Sequence, residues 1–369
     1  MHDPRIDKLA KLLVHYSLGL KKGDNFVLKG TLQAQPLLEA VYKEAILAGA
    51  HVTSMLGLPN AAEIFYKNAS DEQLDYVNPV DKLITEEFDA YLSVMASYNT
   101  KALSNVDSQR IARSRRAGAE LDKVFMERAS KGELRWTLTA FPTNAAAQDA
   151  NMSLAEYADF VFGAGLLDHD DPVAEWRRID AEQDKICQIL NTKSDLRIVS
   201  HDTDISMSIE GRKWINCSGH ENFPDGEVFT GPVEDSVNGH IRFSFPGIFS
   251  GKEIEDIRLE FKDGKVVKAS AAKGEDLLHA LLETDAGACY VGEVAVGTNF
   301  GIQTFTRNML FDEKIGGTVH MAIGASFPES GGKNQSGIHW DMLCDMRQGG
   351  EIYADGELIY KDGKFLLDL

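Results

Sequence analysis

The chain has 369 residues, 43% of them hydrophobic and 26% charged, enough apolar surface for a sizeable core and enough length for two domains. Its formal net charge is −19, from 57 acidic against 38 basic residues; a surface that acidic repels phosphate backbones and anionic lipid, which argues against nucleic acid and membrane as partners. Cys187, Cys217, Cys289 and Cys344 form no C-x-x-C pair, there is no run of about 18 apolar residues, and the expectation is a soluble, cytoplasmic protein with reduced thiols.

In the first half, helix and strand signals alternate. Ile6, Leu9, Leu12, Leu13 and Tyr16 are spaced as one helix face. Asn25 to Lys29 reads as a strand, Pro36 to Leu47 as a helix capped by Gly49, and His51 to Leu56 as a second strand. Right-handed crossover makes this strand pair parallel. Ala90 to Met95 and Leu134 to Ala140 repeat the strand signal around a charged helix from Asp107 to Ser130. Ser153-Leu-Ala-Glu156 is a capping-box start for the helix holding Tyr157, Phe160 and Val161. A further helix is expected from Val173 to Leu190.

From Asp195 onward strands dominate: Leu196–Ser200, Val228–Thr230, Ile241–Phe245, Ile257–Phe261 and Val266–Ala272. The two KDGK segments, Lys262–Lys265 and Lys361–Lys364, are hairpin turns, because Asp-Gly supplies positive φ angles. The fold expected is an α/β N-terminal domain with a largely parallel sheet over 1–195, followed by a β-rich α+β domain over 196–369.

Groups able to bind a metal gather in that second half: Glu227 in NFPDGEVFTGP, Glu293 in YVGEVAVGTN, Glu313 in NMLFDEK, His320 in GGTVHMAIG, and His339 with Asp341 in SGIHWDM. Such a mixed oxygen and nitrogen set suits zinc, cobalt or manganese. In H-x-D, two residues apart on a strand, both side chains project from one face. Each glutamate alone reads more readily as a solvated side chain, and His320 alone as a hydrogen-bonded core histidine. The repeated context weighs the other way. Glu227, Glu293 and His320 all sit in glycine-punctuated apolar strands, where a polar group is costly unless paired or coordinated. The acidic loop Leu167–Asp171 and the scattered His201, His220 and His240 carry no such pattern. Asp202 and Asp204 alternate on an expected strand and are read as facing the cleft. Arg110, Arg113, Arg115 and Arg116 read as a solvated helix face or a subunit contact.

In order and wording these blocks resemble the M29 metallo-aminopeptidases, and the likeness extends into the first half through WTLTAFPTNAAAQDANMSLAEY. The resemblance implies two adjacent divalent ions held by Glu227, Glu293, Glu313, His320, His339 and Asp341, with Glu293 bridging. It also implies a homodimer, and a metal-activated water that hydrolyses N-terminal residues from peptides or a related small-molecule substrate. Glu293 and Glu313 are the candidates for moving the proton. Two features depart from the family. Phe327 stands where the family carries a tyrosine, seven residues after the histidine of GTVH, and the following segment, PESGGKNQSG, looks shorter. A phenyl ring donates no hydrogen bond. The competing expectation is a non-haem iron(II) ring-cleaving dioxygenase of the dihydroxypyridine type, with His320, His339 and Asp341 as its two-histidine, one-carboxylate set.

Overall fold

A computed structural model describes residues 3–249 and 251–367. The chain divides into two compact units, one running through Val173 and including Gly219–Pro224, the other comprising Ala174–Ser218 and the chain from Asp225.

In the first unit, the described strands form a five-stranded sheet in the order His51–Gly57, Asn25–Thr31, Ala90–Met95, Arg135–Ala140 and Asn222–Phe223, every neighbouring pair parallel. The expected βαβ unit is present. Helix Gln35–Ala48 ends on Gly49 at φ 89, where the cap N–H reaches the carbonyls of Ala45 and Ile46. Helix Ser108–Ser130 is capped by the Asp107 side chain, and Ser153 and Glu156 make the expected capping box for Leu154–Ala164. Two of the four arginines singled out on the long helix have local partners: Arg113 pairs with Asp71 and Asp75, and Arg110 donates to the carbonyls of Tyr66 and Ala69.

The second unit begins one helix before the strand-rich texture does. Helix Pro172–Leu190 sends Ile186, Cys187 and Leu190 into the same buried cluster as Leu196, Ile205 and Val228, so its apolar face belongs to the second unit's core. Among the described residues this unit holds an eight-stranded and a five-stranded sheet, both antiparallel throughout. Both KDGK turns form as expected. Asp263 and Gly264 have φ of 50 and 80, Asp362 and Gly363 of 48 and 85, and each turn pairs its flanking lysines. Two strands end early: Asn238–Phe243 stops short of Phe245, because the N–H groups of Ser244 and Phe245 turn to the Leu343 carbonyl, and Lys265–Ser270 stops short of Ala272, whose N–H goes to the Glu255 carbonyl.

The five-stranded sheet positions the site. Its order is His339–Asp345, Thr318–Gly324, Val291–Gly297, Glu227–Thr230 and Ile215–Cys217. Residues directly opposite in an antiparallel pair share a face. On one face Val228, Val294, Val296, Val319, Met321, Ile323, Trp340, Met342 and Cys344 pack into the core. The other face carries Glu227, Glu293, His320, His339 and Asp341, interleaved with Ala295, Gly297, Ala322 and Gly324. A strand period of two thus separates a packed face from one that carries the polar groups among small residues, with Phe229 and Leu343 beside them.

Candidate metal centre

All six residues expected from the sequence come together on that second face or at its border. His320 Nε2 lies 3.1 Å from Glu227 Oε2 and 3.3 Å from Glu293 Oε1. His339 Nε2 lies 3.4 Å from Glu293 Oε2 and 3.5 Å from Asp341 Oδ1. The two oxygens of Glu293 therefore face different histidines. Glu313, from the turn after the short helix Met309–Asp312, offers a ligand atom within 4.8 Å of those of His320 and Asp341.

Local backbone explains how Glu293 gets there. The ladder to Thr318–Gly324 shifts register between Val291 and Glu293, a bulge that re-aims the side chain following it. Gly292 permits this, since a Cβ there would come within 2.2 Å of the Ala325 oxygen. Glu227 is held from behind: Gln183, buried on the helix Pro172–Leu190, donates to the Glu227 carbonyl at 2.9 Å and accepts from Thr298 Oγ1 at 2.9 Å.

Sequence reasoning missed Lys314 and Asp225. Lys314 is fully buried, and its Nζ lies 2.5 Å from Glu227 Oε1, 2.5 Å from Glu313 Oε1 and 3.6 Å from Asp225 Oδ1. The only sequence signal was adjacency to Glu313, and a Glu-Lys pair ordinarily reads as a solvated surface. Asp202 and Asp204, expected at the cleft, lie elsewhere. Asp202 occupies a positive-φ turn and pairs with Arg258, and Asp204 pairs with Arg197 on the eight-stranded sheet. Loops and surface strands favour such exposed pairs, which cost little to form.

The electrostatics follow from five carboxylates gathered around one lysine and two imidazoles. Burial opposes the charged form of His320, but Glu227 and Glu293 outweigh it and raise the imidazole well above its ordinary range. For His339 burial likewise opposes, yet Asp341 and Glu293 lift it to about 11. Burial pushes Glu227 up, while Lys314 and His320 hold it down at about 2. Burial lifts Glu313 to about 8 against the pull of Lys314. The field of the cluster thus calls for cations. Burying charges costs several kcal/mol per ion, and the attraction within a buried pair often does no more than offset that cost, so fold stability is a weak account of the arrangement.

The donor set fits divalent metal. It is carboxylate oxygen and imidazole nitrogen, the chemistry of zinc, cobalt and manganese sites. Among the described residues, Glu227 Oε2 and Asp341 Oδ1 are buried and face His320 Nε2 and His339 Nε2, at 3.1 and 3.5 Å, without a well-aligned hydrogen bond, whereas Glu227 Oε1 receives Lys314. His339 Nδ1 donates to the Ala325 carbonyl at 2.8 Å, which leaves Nε2 for coordination.

A family model described as thermophilic metalloprotease (M29) matches residues 2–365. Aminopeptidase 2 of Geobacillus stearothermophilus is 29% identical over 402 residues, covering 98% of this chain and 95% of that protein. Aminopeptidase T of Thermus thermophilus is 27% identical over 398 residues, covering 97% and 95%. Among solved structures, wild-type AmpT from Thermus thermophilus superposes with a TM-score of 0.87 at 25% identity, covering 99% of each chain. The 2,5-dihydroxypyridine dioxygenase of Pseudomonas putida KT2440 gives a TM-score of 0.61 at 12% identity, covering 98% and 96%, a likeness of fold alone.

Proposed function

The chain belongs to the M29 family of metalloproteases, and on that premise we propose that it is an aminopeptidase whose two divalent ions are held by Glu227, Glu293, Glu313, His320, His339 and Asp341. The observation that carries this reading is the position of Glu293. It shares one ligand group with Glu227 and His320 and another with His339 and Asp341, so a single carboxylate belongs to two adjacent sets of donors. Glu313 completes a third grouping with His320 and Asp341.

When bound, such ions acidify an attacking water and polarise the scissile carbonyl. The rest falls to the chain itself. His339 is oriented by Ala325, and Glu227 by Gln183 and Lys314. Of the two glutamates able to move a proton, Glu293 is enclosed between the histidines with 5% of its side chain exposed, while Glu313 keeps 17%. Glu313 is therefore the better placed to accept the water's proton and return it to the leaving amine. The excess of five carboxylates over one lysine and two imidazoles also favours a cationic peptide N-terminus over an anionic substrate.

The dioxygenase alternative needs His320, His339 and Asp341 around one iron. Among the described residues, no group of ligand atoms within 4.8 Å contains both histidines, and Glu293 stands between them. This favours hydrolysis. The test is turnover of a panel of aminoacyl-p-nitroanilides with added cobalt, zinc or manganese, beside oxygen uptake on hydroxypyridines with iron(II). Metal-dependent, chelator-sensitive release of nitroaniline is expected; oxygen consumption with no hydrolysis would overturn the proposal.

A further inference from the structure

We infer that Lys314 is a positioning residue, whose Nζ fixes the outer oxygens of Glu227 and Glu313 so that each carboxylate turns one defined oxygen toward the metal ions. The inference rests on the two-ion reading above.

An ammonium offers three donors and no acceptor, and three carboxylates surround this one. The contacts at 2.5 Å to Glu227 Oε1 and Glu313 Oε1 are short and charge-assisted; the third, to Asp225 Oδ1, is longer at 3.6 Å. The same glutamate that gives Oε1 to Lys314 turns its buried Oε2 the other way, 3.1 Å from His320 Nε2 and without a well-aligned hydrogen bond. The two oxygens of Glu227 thus have separate tasks.

Both partners of the pair are anchored through their backbones. Lys314 donates its N–H to the Phe311 carbonyl, and its own carbonyl accepts from Asn299 N, each at 3.1 Å. Gly226, beside Glu227, has φ of +120, and a Cβ there would meet Asn299 Cβ at 2.7 Å. The backbone leading into Glu227 therefore packs closely on the loop that receives the Lys314 carbonyl. Asp225, Glu227 and Cys217 also bring ligand atoms within 4.8 Å of one another. The ammonium faces two of those three groups, which keeps a metal ion from settling behind the site rather than in it.

A purely structural ion pair would alter stability and leave metal binding per folded molecule unchanged. Positioning predicts more. Cobalt(II) is titrated into full-length wild type and K314M by calorimetry, with the visible spectrum of bound cobalt recorded and folding checked by circular dichroism in chelator. K314M is expected to bind cobalt about 10–100-fold more weakly, as loss of a partner behind a ligand does, with an altered spectrum. Wild-type affinity and spectrum in folded K314M would overturn the inference and leave the two-ion reading standing. Wild type that binds no cobalt, zinc or manganese would remove that reading itself. Should K314M fail to fold, a crystal structure of cobalt-loaded wild type decides. Lys314 Nζ is expected to remain on Glu227 and Glu313 while their other oxygens ligate; an ammonium displaced from both carboxylates would refute the role.

Discussion

Nδ1 of His339 lies 2.8 Å from the carbonyl oxygen of Ala325. A carbonyl only accepts, so Nδ1 carries a proton in either charge state, and Nε2, facing Glu293 and Asp341, is the nitrogen that a metal ion would take in place of its proton. Replacing His339 with Ala removes a proposed ligand from a half-buried strand position while leaving the opposite, core-facing side of that strand intact. H339A is expected to stay folded, lose metal from the site and lose peptidase activity. The loss should exceed the roughly 10–100-fold typical of a residue that only supports a ligand. Metal content measured on purified protein, alongside turnover, checks both halves. Full peptidase activity in H339A would remove this residue from the ligand set.

The Ala325 carbonyl is itself pressed by the bulge strand. A Cβ on Gly292 would lie 2.2 Å from the Ala325 oxygen and 2.6 Å from that of Gly324. G292A therefore forces apart two backbones that bring Glu293 and His339 into register. Overpacking of this kind costs about 1–3 kcal/mol. The expected result is a lower midpoint of denaturant unfolding together with weaker cobalt binding. Loss of stability with unchanged metal affinity would mean that the bulge shapes the sheet without orienting the ligands.

Much of this architecture is legible in the sequence because it is local. The Asp-Gly pairs announce both hairpins, Ser153 and Glu156 announce their helix, and the apolar strands of the second half stand out from the polar groups they carry. Those polar groups stand out by their apolar, glycine-punctuated context, and the family's order of motifs joins them into one expected ligand set. What was not legible depends on distant neighbours. Lys314 becomes part of the site only because Glu227, 87 positions earlier, folds against it. Residues 219–224 join the parallel sheet of the first unit, while the chain on either side belongs to the second, and no composition shift marks that excursion. Gln183 reads as a polar helix residue until the Glu227 carbonyl is placed beside it.

Acid sensitivity should report on the turn that leads into His339. Asp285 accepts from Gly337 N at 2.6 Å, Ser336 Oγ at 3.0 Å and Gly287 N at 2.9 Å. The Gly337 bond is the largest cause holding its carboxyl below the ordinary 3.8. A depressed folded-state pKa contributes stability that is fully present above the unfolded value. That stability is lost as pH falls through the folded value, below about 4. D285N removes the contribution. The gap in unfolding free energy between wild type and D285N is expected to be constant near neutrality and to shrink below about pH 4. A gap that persists undiminished at lower pH would mean that the carboxylate's charge is not what tethers the turn.

Phe327 packs edge-on against His339, with ring centroids 4.8 Å apart, and against Phe229 at 5.4 Å. It thus sits beside the imidazole proposed to bind metal, at the position where the family resemblance implies a tyrosine, and its ring has no donor for a developing oxyanion. Removing one such donor from an active site costs on the order of 10²–10³ in rate. Restoring it in F327Y is expected to raise turnover on aminoacyl-p-nitroanilides by on the order of 10². Metal content should not change, because no ligand is altered. The effect belongs in kcat rather than in KM, since the hydroxyl would act on charge that appears only in the transition state. Steady-state kinetics of F327Y at saturating cobalt decide it. A kcat equal to that of wild type would mean that another group already supplies the donor and that Phe327 serves only to pack against His339.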